Sequence, residues 1–174
     1  MTDLYFFDTD CLSSFLMTNN EEIILKMYAG RIILPSFVYS EAMKKESLKE
    51  KVIGLQEKGY IKKYDIMYGT DEYREYIHLV SNNYSEKVIG KGEASAIACV
   101  KCQGGILASN NFKDVLYYIE KYKLNYTTTS DILLDAYNDK ILTLKQANNI
   151  WKQMKEIGNY MPNKTFSDYL KHNS

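Results

Sequence analysis

Leu4-Tyr5-Phe6-Phe7-Asp8-Thr9-Asp10 runs four apolar residues, three of them aromatic, straight into two carboxylates separated by a hydroxyl. A short continuous apolar run reads as a strand buried on both faces, as in a parallel sheet. Such strands present functional groups at their C-terminal ends, where the chain leaves the sheet. Asp8 therefore stands where a carboxylate is costly to bury and useful to a ligand. A plainer role suits the same position, because Asp8 or Thr9 can N-cap the helix that follows. The stretch alone leaves both roles open, and the surrounding chain has to separate them.

Moving outward, strands and helices alternate. A short helix is expected over 10–17, and Asn20-Glu21-Glu22 opens a second with a polar cap and acids in its first turn, ended by Gly30. Arg31-Ile32-Ile33-Leu34 reads as a second buried strand, with Pro35 in the first turn of a helix that carries Glu41 near the edge of an apolar face. A lysine-rich amphipathic helix is expected over 48–58, a strand over 60–67 and a helix over 71–83. Gly90-Lys91-Gly92-Glu93-Ala94-Ser95-Ala96-Ile97-Ala98-Cys99-Val100 opens with two glycines and continues as a helix of small side chains, suited to close packing. Glu93 in its first turn complements the helix dipole, whatever else it does. Ile106-Leu107-Ala108 is a third buried strand, leaving through Ser109-Asn110-Asn111-Phe112-Lys113-Asp114. Beyond it come a helix over 115–121, a strand over 124–128, a helix over 131–137 capped by Ser130, and a long helix over 145–157. A polar tail follows, pinned by Phe166, Tyr169 and Leu170.

Composition narrows the classes. With 174 residues the chain is expected to form a single domain, 1–174, with a C-terminal helix and tail from about 143–174. Lys+Arg and Asp+Glu balance at 22 each, so no global charge announces nucleic acid or a membrane. Locally, 44–63 is basic and 65–93 acidic, an arrangement that suits a phosphodiester ligand. The chain shows no basic leader with an apolar core and no bilayer-length apolar run, so neither a signal peptide nor membrane association is expected. Three cysteines, Cys11, Cys99 and Cys102, point to a reducing cytoplasm. Cys99 and Cys102 lack a second pair or a nearby histidine to complete a zinc set, and are expected as buried or half-buried thiols.

Alternating strands and helices mean an α/β fold with a parallel sheet covered on both faces. In such a fold Asp8, Glu41, Glu93 and the 109–114 turn, each at a strand exit or in the first turns of a helix, converge on one edge of the sheet. Carboxylates meeting there repel one another unless something positive neutralises them, and a divalent cation with hard oxygen ligands is the simplest answer. Convergence thus favours a shared site over independent helix caps.

The ordered set of motifs resembles the PIN-domain nucleases. It comprises a strand ending in Asp8-Thr9, a Val-x-x-Glu helix from Val38 to Glu41, a Gly-x-Gly-Glu-Ala helix start from Gly90 to Ala94, and an Ile-Leu-Ala-Ser exit from Ile106 to Ser109. The resemblance covers roughly residues 4–142. It implies a Rossmann-like three-layer α/β/α sandwich with a parallel central sheet. It also implies an acidic pocket for Mg²⁺ or Mn²⁺, and hydrolysis of RNA phosphodiester bonds. Many small bacterial members are toxins inhibited by a small antitoxin protein, so an antitoxin partner is implied too, with a homodimer left open. Position by position, Asp8, Glu41 and Glu93 match the first three family acids. The fourth departs: Asn111 stands where the family usually has Asp, with Asp114 three residues further on. Asp114 is the candidate replacement metal ligand, while Ser109, Thr9 and Asn111 would orient ligands or the scissile phosphate. Asp10 could add charge from the other side. Lys44, Lys45, Lys49 and Lys113 are candidates for the RNA backbone, and surface tyrosines for its bases.

Two alternatives stand beside this reading. Asp8-Thr9-Asp10 also resembles the Asp-x-Asp of haloacid-dehalogenase-like phosphatases, but that leaves Glu41 and Glu93 unexplained and offers only Thr127-Thr128-Thr129-Ser130-Asp131 as the later acidic strand end. The Asn110-Asn111 pair, on the other hand, favours a catalytically degenerate PIN-like module that binds RNA or a protein.

Overall fold

The computed structural model describes residues 3–81 and 87–173. Its apolar runs become β1 (Tyr5–Phe7), β2 (Ile32–Pro35), β3 (Ile61–Tyr64), β4 (Ile106–Ala108) and β5 (Asn125–Thr127). All pair in parallel, in the order β3-β2-β1-β4-β5. The chain steps outward from β1 through β2 to β3, then returns to the other side of β1 for β4 and β5. The order therefore reverses between β1 and β4. At that switch point the helices leaving the two strands diverge and open a crevice at the strands' C-terminal ends. Asp8 and Ser109 are the first residues past those two strands. The Asp8 amide still donates to the Ala108 carbonyl (2.9 Å), and the Ser109 amide to the Thr127 carbonyl (3.1 Å), so the ladder carries both exits in step.

Strand residues alternate between the two faces, as a pleated sheet requires. Phe7, Ile32, Leu34 and Ala108 face a core shared with α1 (Thr9–Met17), α2 (Glu21–Tyr28), α4 (Glu46–Glu57), α8 (Thr129–Asn138), α9 (Leu144–Glu156) and α10 (Phe166–Asn173). Phe6, Ile33 and Leu107 face the other core, built with α5 (Asp71–Val80), α6 (Lys91–Gln103) and α7 (Phe112–Tyr122). α3 (Ser36–Ala42) contributes Val38 and Ala42 to the first core and packs Phe37 against the second. The result is a three-layer α/β/α sandwich. Gly105 is fixed by close approach: at φ +102°, a Cβ there would lie 2.6 Å from the Leu4 carbonyl oxygen. Among the described residues no helix is long and apolar enough to cross a membrane.

Several local expectations are corrected. Pro35 (φ −55°, ψ 150°) closes β2 and precedes α3, since its fixed φ suits an extended residue as well as a helical one. Thr128, not Ser130, caps α8, because Thr128 and Asp131 form a reciprocal capping box that satisfies two donors at once. Asn20 makes no cap bond; its amide donates instead to Thr18 and Gln153. The strand expected over 60–67 shortens to β3, and the helix expected over 71–83 ends at Val80, with 82 and 83 outside the described residues. Cys99 is buried as expected, but Cys102, near the end of α6, is exposed. The tail forms α10, whose Phe166 and Tyr169 pack on the buried Trp151 ring at centroid distances of 5.8 and 5.2 Å.

Candidate active site

Asp8 plays both roles its position offers. Its Oδ1 accepts from the Cys11 amide at 2.7 Å and caps α1, which suits an extended residue (ψ 169°) leading directly into a helix. Its Oδ2 is buried and has no hydrogen-bond partner, in a residue only 2% exposed. Burial pushes the carboxyl from its ordinary 3.8 up to about 7; the neighbouring Ser109 hydroxyl and the Cys11 amide draw it back, and the charges of Asp10 and Glu93 push it up further. Buried polar atoms are almost always paired, so a carboxylate oxygen left without a partner at a switch point makes Asp8 a candidate ligand.

Glu41 comes from α3, whose Val38 and Ala42 anchor the helix in the core and leave Glu41 half-buried at the crevice. Its Oε2 accepts from the Thr9 hydroxyl at 2.5 Å, which ties α3 to the first residue after Asp8. Gly92 makes room for it: a Cβ at that position would stand 2.5 Å from Glu41 Oε2. The second glycine of the Gly-x-Gly-Glu segment is therefore a cradle for a carboxylate of another helix. A Cβ at Gly90 would likewise collide with the Glu93 carboxylate, which folds back over its own helix start.

On the β4 side, Asn111 N-terminally flanks α7 and Asp114 sits in the first turn of that helix. The Asn111 side-chain amide donates to Glu93 Oε1 at 3.1 Å and to Asp114 Oδ2 at 2.8 Å. Where an acid would repel both carboxylates, this amide joins them. Lys87 adds a longer contact to Asp114, at 3.7 Å and half exposed. Ser109 is buried, and its hydroxyl accepts from the Asn111 backbone amide at 3.3 Å.

The predicted residues thus form two hydrogen-bonded groups beside the exits of β1 and β4: Thr9 with Glu41, and Asn111 with Glu93 and Asp114. Among the described residues no three His, Cys, Asp or Glu side chains are gathered into a ready metal cage. Instead Glu41 Oε2, Glu93 Oε1 and Asp114 Oδ2 each accept from a neutral donor, whereas Asp8 Oδ2 is buried without one. Their chemistry nonetheless fits a hard cation: every donor is an oxygen, one is orphaned and buried, and two glycines leave space for the others. Asp10 is exposed and adds its charge near Asp8. Lys49 pairs with Glu46 at 3.5 Å, away from these acids in sequence, while Lys44, Lys45 and Lys113 are exposed.

Asn110 is a structural member of the site that its residue type does not reveal. Its amide donates to Ser14 Oγ (3.1 Å) and its carbonyl accepts from the Thr129 amide (2.9 Å), which locks the exits of β4 and β5 to α1. Asp131, the acid a phosphatase reading would recruit, has both oxygens engaged, by Thr128 and by the Tyr169 hydroxyl.

A family model described as a PIN domain matches residues 4–174, running on through the C-terminal helices that the motif resemblance leaves out. No curated protein matches the chain.

Proposed function

The chain belongs to the PIN-domain family, and from that premise we propose that it is a divalent-metal-dependent ribonuclease hydrolysing RNA phosphodiester bonds. The observation that carries this reading is Asp8 Oδ2, a buried carboxylate oxygen without a partner at the sheet's switch point. Asp8, Glu93 and Asp114, with Glu41 directly or through water, would hold Mg²⁺ or Mn²⁺. When bound, such an ion lowers the pKa of water and neutralises the developing charge on the leaving oxygen.

The chain's own groups supply the rest. A carboxyl raised to about 7 gives up its proton as positive charge approaches, so Asp8 turns from a neutral buried cap into an anionic ligand. Thr9 holds Glu41 through a 2.5 Å bond and fixes the distance between α3 and the exit of β1. Asn111 orients Glu93 and Asp114 together, and Ser109, beside Asp8, offers a hydroxyl to a phosphate oxygen. The exposed lysines Lys44, Lys45 and Lys113 flank the crevice in sequence and suit the RNA backbone. A cytoplasmic toxin restrained by a small antitoxin protein is the biological setting that fits a small nuclease of this family.

One observation favours a second reading. Asn111 satisfies Glu93 and Asp114 without any cation, as a degenerate module that binds RNA or protein would need. The deciding experiment is cleavage of a mixed RNA pool with Mn²⁺ or Mg²⁺ by wild type and Asp8→Asn, with an EDTA control. The expected result is metal-dependent cleavage that falls at least about a hundredfold in the variant. Folded protein that neither cleaves nor gains thermal stability from Mn²⁺ would instead establish the degenerate module.

A further inference from the structure

One strand beyond the acids, on the same edge of the sheet, a cavity of about 370 Å³ opens between β5 and the C-terminal segment. Asn110, Tyr126, Thr128, Asp131, Tyr160 and Tyr169 line it. Tyr160 is 75% exposed and Tyr126 44%, so two aromatic rings stand at its mouth.

The segment that carries Tyr160 is also anchored. Tyr160 lies in the connection between α9 and α10, and its neighbour Asn159 donates to Ser14 Oγ at 2.7 Å. Ser14 is the same buried hydroxyl that receives Asn110, the residue next to Ser109. The C-terminal segment is thereby fastened to α1, the helix that Asp8 caps. The cavity and the acids share one hydrogen-bonded frame.

The chemistry of the lining selects among parts of a nucleic acid. None of the described lining residues is cationic, and Asp131 carries an anionic carboxylate whose oxygens are already occupied by Thr128 and Tyr169. A phosphate would be repelled there. A flat, neutral base would be received by the tyrosine faces, since stacking on aromatic side chains is how sequence-tolerant single-strand binders hold bases. A base already paired in a duplex cannot turn its face into such a cavity.

Resting on the ribonuclease reading above, we infer that this cavity is a base-binding subsite, where an unpaired nucleobase of single-stranded RNA stacks on Tyr160 and Tyr126 beside the cleavage site. The C-terminal segment then builds one wall of the substrate groove, and the chain selects single strands over duplexes.

The test is fluorescence anisotropy of the full chain in EDTA, where no cleavage competes. The probes are a short labelled single-stranded oligoribonucleotide, the same strand lacking its bases, and the duplex. Tyr160→Ala should raise the Kd for the single strand about tenfold, the scale of one lost base stack, and Tyr160→Phe should stay within about twofold. The baseless strand should bind wild type and Tyr160→Ala alike, and wild type should bind the duplex less tightly than the single strand. An unchanged Kd for Tyr160→Ala on the single strand, or an equal loss on the baseless one, overturns the subsite. Wild-type cleavage in Mn²⁺, run in parallel, separates the two failures. If wild type cleaves while Tyr160→Ala binds normally, the subsite alone is wrong; if wild type neither binds nor cleaves RNA, both readings fall.

Discussion

Asp8 and Asp131 follow strands of the same sheet, and both carboxylates help start the next helix. Asp131 is fully occupied: Oδ2 accepts from the amide and hydroxyl of Thr128, and Oδ1 accepts from Tyr169. Asp8 spends Oδ1 on the Cys11 amide and leaves Oδ2 buried with nothing. Helix capping therefore does not separate the two acids, and the second oxygen does. A carboxylate whose two oxygens are both bonded stabilises the fold, whereas one bonded on a single side carries an uncompensated desolvation cost that a cation can relieve.

The contrast can be broken at its largest point by titration. In the metal-free protein Asp8 titrates near 7 when folded, against about 3.9 unfolded, so the folded state holds the extra proton in between. Its contribution is present below about pH 4 and is lost as pH rises through 7. By linkage the loss is on the order of 4 kcal/mol. Asp8→Asn keeps an oxygen for the cap and removes the charge. Urea unfolding in EDTA at pH 5 and pH 8 should show the variant gaining stability relative to wild type at pH 8. An identical pH dependence in the two proteins would mean Asp8 is not a strained buried acid.

Asp131→Ala should act in the opposite direction. It removes the capping box and the Tyr169 bond, and should cost about 1–2 kcal/mol at both pH values, measured by the same unfolding midpoints. If Asp131→Ala instead stabilised the protein at pH 8, the two acids would not differ in kind.

The smallest effect sharpens the comparison on the β4 side. Asn111→Asp replaces an amide that joins Glu93 and Asp114 with a third carboxylate, and should lower metal-free stability by about 1 kcal/mol. The same change adds a hard ligand, so Mn²⁺ should raise Tm more in the variant than in wild type, as differential scanning fluorimetry would show. An equal Mn²⁺ response in both proteins would place the cation away from Asn111.

Much of this was legible in the residues. Apolar runs of strand length give the buried parallel strands, because such strands face helices on both sides and lose their alternation. The acids at strand exits follow from that, since a parallel sheet puts its ligand-binding ends on one edge. Less legible were residues whose roles depend on a partner far along the chain. Gly92 reads as a helix breaker or a packing residue, yet its missing Cβ leaves space for Glu41, 51 positions earlier. Asn111 reads as a lost ligand, yet its amide bridges two others. The lysines show the limit from the other side: a basic run is visible in the sequence, but Lys49 proves to be paired with Glu46 on its own helix.

By itself the sequence determined the class of fold, and it singled out Asp8, Glu41, Glu93 and Asp114 as candidates at one edge of the sheet. These follow from local rules of burial period, turn chemistry and strand direction, which act within a few residues. Only the tertiary structure decided that Asp8 Oδ2 goes unpaired while both oxygens of Asp131 are bonded. It alone set Glu41 against Thr9 and Gly92, and brought the C-terminal tyrosines to the β5 end of the same edge. Hydrogen-bond satisfaction is a property of every group that reaches an atom, and in a folded chain those groups arrive from any distance in sequence.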